Sequence, residues 1–316
     1  MGTIIAGMAT SHAFSFMEPE EWDSFRERNR ASYKRRRGIE APVHTKIAEE
    51  TIERDRKRFD RIRGAHRALR DQLIAAKPDA IILIGDDQNE VFVNGTTPQI
   101  AIYRGGDFTL SPRFSSGDTR YRSCPWLAES LLDGGITEGF DIALLDSFEN
   151  DVLSSHAHAQ VLEALVPEAD IPVVPLYVNA IHHPALEPQR CYELGKSIRR
   201  VISSRPQSEK VAVCASGGLS HFTAGYPWDR YQGPYFYGAI SEAFDREIID
   251  AIKRGDGDRL AKLSAAELMA NGDIELRTWI VLLGIIGNTA PQLTVYEPFY
   301  RAIMGMAVVS WPAIPA

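Results

Sequence analysis

The chain is poor in cysteine, in excess positive charge and in long apolar runs. Its three cysteines, Cys124, Cys191 and Cys214, are spread over 316 residues. That is too few and too scattered for a disulfide framework or a zinc ribbon, so a reducing cytoplasm is the expected compartment. Lys plus Arg is 35 against 42 Asp plus Glu, a net charge of −7. This lacks the basic footprint of a general nucleic-acid binder. No apolar stretch reaches the roughly 18 residues that span a bilayer, so no membrane partner is expected. The opening MGTIIAGMATSHAF has no basic n-region and reads as a strand rather than a signal peptide. Also missing are a Walker A motif, a strand–GxGxxG–helix unit, a G-x-S-x-G elbow and H-E-x-x-H. Ser216-Gly217-Gly218 is rich in glycine but has no following Lys–Ser/Thr pair for phosphate. There is no internal repeat and no low-complexity linker.

What is present is an ordinary globular composition, 44% apolar and 24% charged. Five short apolar runs read as strands: Thr3–Ala9, Ala80–Ile84, Asp141–Leu145, Ile171–Val178 and Val211–Ala215. Near-continuous apolar runs of this kind suit strands buried on both faces, which places the chain in the α/β class. Helical spacing lies between them. Phe59, Ile62, His66, Leu69 and Leu73 form one stripe, and Gln189–Ser203 carries Leu194, Ile198 and Val201 on another. Two more helices are expected near Tyr237–Arg254 and Asp273–Gly287. Glu18–His44 is polar, with Lys34-Arg35-Arg36-Arg37 before Gly38. Because acids flank the basic run, it reads as a solvated surface insertion, with a lid or dimer arm as the functional alternative.

Polar groups gather where these strands end. His12, Asp86-Asp87-Gln88 and His221 each follow a strand directly. In open α/β sheets the crevice beyond the carboxyl ends of the strands takes the ligand. Of eight histidines, His12 and His221 stand out, because small neighbours let the backbone approach a ligand closely. His66 sits on an apolar stripe and reads as a core or interface histidine. His44 reads as surface, and His182-His183-Pro184 as a turn or a site in equal measure. His156 and His158 would share a face on a strand but not at a helix start. Glu275 is the candidate carboxylate; the bland alternative is a first-turn acid favoured by the helix dipole. Two histidines and one carboxylate on one face of a metal are the donor set of non-haem Fe(II) oxygenases.

Taken in order, these motifs resemble the class III extradiol ring-cleavage dioxygenases of the protocatechuate 4,5-dioxygenase β-subunit type. The matching segments are Ser11-His12, the strand Ala80–Ile84 with its acidic tail and Phe92, and Ser155-His156. They continue with Asn179–Pro184 leading into Arg190-Cys191 and Ser197-Ile198-Arg199, then Ala215-Ser216-Gly217-Gly218-Leu219-Ser220-His221. Glu275-Leu276, Trp279 and Tyr296…Phe299-Tyr300 close the series. The resemblance implies one layered α/β/α domain over residues 1–316 around a mixed, mostly buried sheet, with a charged helical insertion at about 18–79. It implies Fe(II) held by His12 and Glu275, His221 as acid/base, and His156 or His158 stabilising charge on oxygen. The substrate would be a catecholic aromatic, gallate-like or carboxylated, cleaved with O₂. Arg104, Arg113, Arg120 and Arg122 are candidate partners for a substrate carboxylate. A homodimer or larger homo-oligomer, or a small α-type subunit, is the expected assembly.

One departure stands out. The family's second iron histidine follows the second strand in an Asn-Asp-His-like run, and here that run is Asp86-Asp87-Gln88. Gln88 therefore occupies the ligand position, as in relatives close to 3-O-methylgallate dioxygenase. Gln88 could bind the metal, or His44, Asp87 or Glu90 could replace it. Alternatively the chain could be a metal-poor scaffold or binding protein, or a metal-dependent hydrolase.

Overall fold

Each of the five apolar runs becomes a strand, and the sheet they build is larger than the runs alone imply. The computed structural model describes residues 2–41, 43–93, 95–110, 118–206, 208–221 and 240–314. Its strands are β1 (Thr3–Thr10), β2 (Ala80–Gly85), β3 (Ile100–Tyr103), β4 (Phe108–Leu110), β5 (Thr119–Tyr121), β6 (Ala143–Leu145), β7 (Val152–Leu153), β8 (Val173–Val178), β9 (Lys210–Ser216), β10 (Leu293–Phe299) and β11 (Met304–Trp311). Its helices are α1 (Trp22–Arg37), α2 (Ile52–Ala76), α3 (Pro125–Thr137), α4 (His156–Leu165), α5 (Pro188–Ser204), α6 (Glu242–Lys253), α7 (Gly257–Ala261), α8 (Ala265–Ala270) and α9 (Leu276–Ile286). The helix expected from Tyr237 begins, among the described residues, at Glu242; residues 237–239 lie outside them.

The main sheet has eight strands in the order β10-β11-β1-β9-β2-β8-β3-β6. Its centre, β1-β9-β2-β8, is parallel. β11 joins β1 and β3 joins β8 antiparallel, so the sheet is mixed. A second, three-stranded sheet runs β5-β4-β7. Side chains alternate between two cores. Ile82, Ile84, Val211, Val213 and Ala215 face one core, which also holds residues of α3, α5, α6 and α9. Ile81, Leu83, Ala212 and Cys214 face the other, beneath α2 and α4. The result is a layered α/β/α arrangement. In β1 the pairing with β9 shifts between Ile4 and Ala6. That irregularity lets Ile4 and Ala9, five residues apart, share one core while Ala6 and Met8 face the other.

The charged stretch folds as two helices with different duties. α2 buries Asp55, Phe59, Ile62, Ala65, His66, Leu69 and Leu73 along one face, so it is a layer of the core. α1 has no apolar stripe and is anchored instead by Trp22, which packs edge-on to Phe59 and Phe299 at 5.4 and 4.9 Å. Gly38, at φ 71°, caps α1 with its N–H on Lys34 O. The left-handed conformation there favours glycine. Arg301, beside β11, binds Asp23 of α1 at 2.7 Å and the buried Asp55 of α2 at 2.9 Å. Both helices are thereby tied to the C-terminal strands. Among the described residues no helix is long and apolar enough to cross a membrane, and all three cysteines are free and buried.

α9 is buried along its whole length because it is wedged between the sheet and α5. The contact needs Gly195 and Gly284. A Cβ at Gly195 would lie 2.0 Å from Val281 O and 2.8 Å from Gly284 Cα. Gly195→Ala is expected to lower stability by about 3 kcal/mol, the upper range for overpacking, measured by urea denaturation. An unchanged midpoint would show that the two helices can part without loss. A second expectation concerns acid. The Thr10 hydroxyl donates to Ser11 O at 2.8 Å, so it accepts from His66 Nε2, also at 2.8 Å. Burial pushes His66 down to about 4. Between that value and the unfolded one near 6.5 the unfolded chain binds the extra proton, so stability falls as pH drops through this window. Each such proton contributes a slope of about 1.4 kcal/mol per pH unit. His66→Gln should flatten stability against pH between about 4 and 6.5 by this amount, and an unaltered slope would show that His66 does not titrate there.

Candidate active site

Since β1, β9, β2 and β8 are parallel neighbours, their carboxyl ends share one edge of the sheet, and the segments leaving them meet there. β1 delivers Ser11-His12, β2 delivers Asp86-Asp87-Gln88, and β9 delivers residues 217–221. Glu275 arrives from the α9 side, at the cap position of that helix. The loop after β9 passes beneath it at Gly217, φ 149°, where a Cβ would lie 2.8 Å from Thr278 Oγ1 and 2.9 Å from Glu275 O. A glycine is needed there for close approach and conformation alike.

Glu275 is fully buried and is the hub of the cluster. Its Oε2 lies 3.5 Å from His12 Nε2 and accepts the Gly218 N–H at 3.3 Å. Its Oε1 lies 3.5 Å from His221 Nε2 and accepts from Gln88 Nε2 at 3.0 Å. Burial works against its charge, but the His12 and His221 imidazoles outweigh that and hold the carboxyl below its usual range. His12 contacts Ser216 Oγ through Nδ1 at 3.1 Å, and burial pushes it down to about 3, so it is neutral. His221 directs Nδ1 at Leu219 O, 2.8 Å away, and so turns Nε2 towards Glu275. Burial opposes its proton; the facing Glu275 carboxylate prevails and raises it. The 219–221 segment is in turn fixed by the buried Asp245, which accepts from Ser220 N and Oγ at 3.0 and 2.9 Å and from the Tyr296 hydroxyl at 2.7 Å.

His156, at the first turn of α4, lies edge-on to His12 with ring centroids 4.8 Å apart. Its Nδ1 is held by the Glu90 carboxylate at 2.8–2.9 Å, and Glu90 also accepts its backbone N–H at 2.9 Å. His158 is different. Two residues on along a helix it points elsewhere, under Gly85, where a Cβ would meet its ring at 2.5 Å. Its Nδ1 contacts Ser155 Oγ at 3.0 Å and its Nε2 contacts Leu176 O at 3.1 Å. Burial pushes it down to about 4. Both His158 nitrogens are thus engaged in hydrogen bonds, and the structure does not bring its ring to His12 as it does that of His156.

The alternatives to Gln88 separate cleanly. His44 lies tilted against Tyr300 at 4.6 Å and accepts the Lys46 N–H, so it stays outside the cluster. Asp87 accepts the N–H groups of Asn89, Glu90, Val91 and Phe92 and shapes its own turn. Glu90 serves His156. The residue that the sequence reading passed over is Asp86. It is fully buried, and among the described residues neither of its carboxylate oxygens has a hydrogen-bond partner. Burial first, then the Glu275 charge, pushes its carboxyl well up. His12, Asp86 and Glu275 offer ligand atoms all within 4.8 Å of one another. The available signal was position: Asp86 is the first charged residue after six buried ones.

Three of the four cation candidates are engaged elsewhere. Arg104 pairs with Asp146 at 2.9 Å, Arg120 donates to Asp107 O and Arg122 to Asp170 O, while Arg113 lies outside the described residues. His182 and Asn179 exchange hydrogen bonds that close a turn, the N–H of His182 donating to Asn179 Oδ1 at 2.9 Å.

Three comparisons bear on this geometry. The chain is 25% identical over 286 residues to a 2,3-dihydroxyphenylpropionate/2,3-dihydroxicinnamic acid 1,2-dioxygenase of Burkholderia vietnamiensis, covering 77% of this chain and 86% of that protein. It is 31% identical over 146 residues to a gallate dioxygenase of Pseudomonas putida, covering 44% of this chain and 40% of that protein. An uncharacterized protein of Escherichia coli K12 superposes with a TM-score of 0.52 at 12% identity, over 97% of this chain and 99% of that one, which bears on the fold alone. The family model for the catalytic LigB subunit of aromatic ring-opening dioxygenase matches residues 11–307. With that match running from the residue before His12 to the middle of β11, the chain belongs to the LigB family of aromatic ring-opening dioxygenases.

Proposed function

We propose that the protein opens a catechol-type ring by Fe(II)-dependent extradiol cleavage with O₂. The observation that carries this reading is the convergence of His12, Asp86 and Glu275 within 4.8 Å, next to His221 and His156, in one buried cluster. The donor set fits a divalent cation. One neutral imidazole and two carboxylates are gathered out of water, and the bare oxygens of Asp86 are an arrangement that costs several kcal/mol unless a proton or cation meets them. His12 and Glu275 would hold the metal, with the third donor coming from the turn after β2. Fe(II) there would polarise two adjacent ring hydroxyls, lowering their pKa, and provide the open positions for O₂.

The chain's own residues do the rest. Held at Nδ1 by the Ser216 hydroxyl, which fixes the ring, His12 would present Nε2 to the cation position. His221, held at Nδ1 by Leu219 O, works through Nε2: it takes a proton from a substrate hydroxyl and returns it later in the reaction. Glu90 grips Nδ1 of His156, which leaves Nε2 as the atom that ring can present to the substrate. His12, His156, His221 and Glu275 are buried, and withdrawal from water strengthens each interaction. Substrates in the catechol and gallate classes match the activities for which the two dioxygenase relatives are named.

Anaerobic loading with Fe(II), followed by air and a panel of catechols and gallates, should give O₂ uptake and a new near-visible chromophore. No uptake with any member of the panel would sink the proposal. His221→Ala should lower kcat by at least about 100-fold, the lower end for a general acid/base, and should leave bound iron, counted by mass spectrometry, within error of the parent. Glu275→Ala should instead lose the iron. Equal iron loss in both variants would assign His221 to the metal rather than to the proton.

A further inference from the structure

The family resemblance predicts two imidazoles and one carboxylate around the metal, whereas the ligand-type groups gathered here are His12, Asp86 and Glu275. Gln88 occupies the position expected of the second histidine, yet its amide N–H₂ group faces Glu275 Oε1 at 3.0 Å. An N–H donor repels a cation; it acts here as a clamp on a carboxylate. Asp86, two residues earlier, has no such engagement. It is fully buried, both of its oxygens are without a hydrogen bond among the described residues, and it lies in the same 4.8 Å group as His12 and Glu275. The three other groups offered by sequence are occupied: Asp87 by four backbone N–H groups, Glu90 by His156, His44 by Tyr300 and Lys46.

Accepting the metal site put forward above, we propose that Asp86 replaces the missing histidine, giving a one-imidazole, two-carboxylate centre that holds Mn(II) about as well as Fe(II), with Gln88 fixing Glu275. The reason is charge and hardness. A neutral His12 with two carboxylates carries −2 and neutralises a divalent ion fully, where two imidazoles and one carboxylate carry −1. Imidazole nitrogen favours Fe(II) over Mn(II), whereas carboxylate oxygen suits Mn(II) well. Exchanging one nitrogen for an oxygen removes part of the advantage of iron.

Equilibrium dialysis under argon with Fe(II) or Mn(II), metal counted by mass spectrometry, reads this without turnover. The natural protein should bind the two ions with Kd values within about tenfold, that is about 1.4 kcal/mol. A larger preference for iron overturns the proposal. Asp86→Asn, close to isosteric, should weaken both ions by more than about tenfold, and Gln88→Ala by less than about threefold. The reverse ranking would make Gln88 the ligand and overturn the assignment. Gln88→His should shift the balance towards Fe(II), and no shift would count against the hardness account. Melting temperatures monitor folding; if Asp86→Asn does not fold, the Fe/Mn ratio of the natural protein decides. Protein that binds metal as stated but takes up no O₂ refutes ring cleavage and leaves the donor assignment standing. Undiminished metal binding in Asp86→Asn, with uptake intact, does the opposite.

Discussion

A carboxylate withdrawn from water organises this molecule. Glu275 has no exposed surface, and among the described residues the His221 ring, the Gln88 amide N–H₂ and the N–H of Gly218 sustain its charge. An unpaired buried carboxylate would take up a proton or destabilise the fold. The demand reaches far along the sequence. It fixes the strand order, because His12, Gln88 and the 216–221 segment come from three different strands that must be parallel neighbours. It fixes the two glycines where β9 passes under α9. It also fixes the α5–α9 packing, since a displaced α9 would carry Glu275 away from its partners. The family match over residues 11–307 spans all the segments that this arrangement brings together.

Much of this was legible in the sequence. Buried parallel strands need apolar residues on both faces, so β1, β2, β8 and β9 announced themselves, and the polar residues at their ends marked the ligand edge. α2 and α5 showed their core stripes. β3, with four residues, and β4, β5 and β7, with two or three each, are too short for periodicity to register. β10 carries Tyr296, Glu297 and Pro298 and lies at an edge, so its pattern is mixed. α1 could not be read as a helix that docks, because one tryptophan and a pair of carboxylate–arginine contacts replace the stripe. Docking through a single Arg301 leaves no repeating trace.

The site was legible to a different degree. His12, His221 and Glu275 meet as their positions suggest, and their roles at the metal belong to the proposal above. His156 and His158 could not be separated by spacing. The helix start that sends one to His12 and the other under Gly85 is a matter of 100° per residue, which only the local conformation decides. Asp86 escaped because a family pattern draws the eye to the aligned position. A charge two residues away can reach the same point when the turn between is tight, and here Asp87 tightens it by gathering four backbone N–H groups.

The irregularity between Ile4 and Ala6 has an effect on how the strand tolerates change. Pairing of β1 with β9 beyond it runs without interruption from Ala6 to Thr10, opposite Ala212 to Ser216. The far side of the kink is out of phase with this stretch, so alternation at Thr3 and Ile4 is set separately. Sequence drift at the entrance of the strand is thereby insulated from the rung on which the Thr10 and Ser216 backbones face each other. The ring of His12 takes its bearing from that rung, and the first residues of the strand are left to vary with the surface they cover.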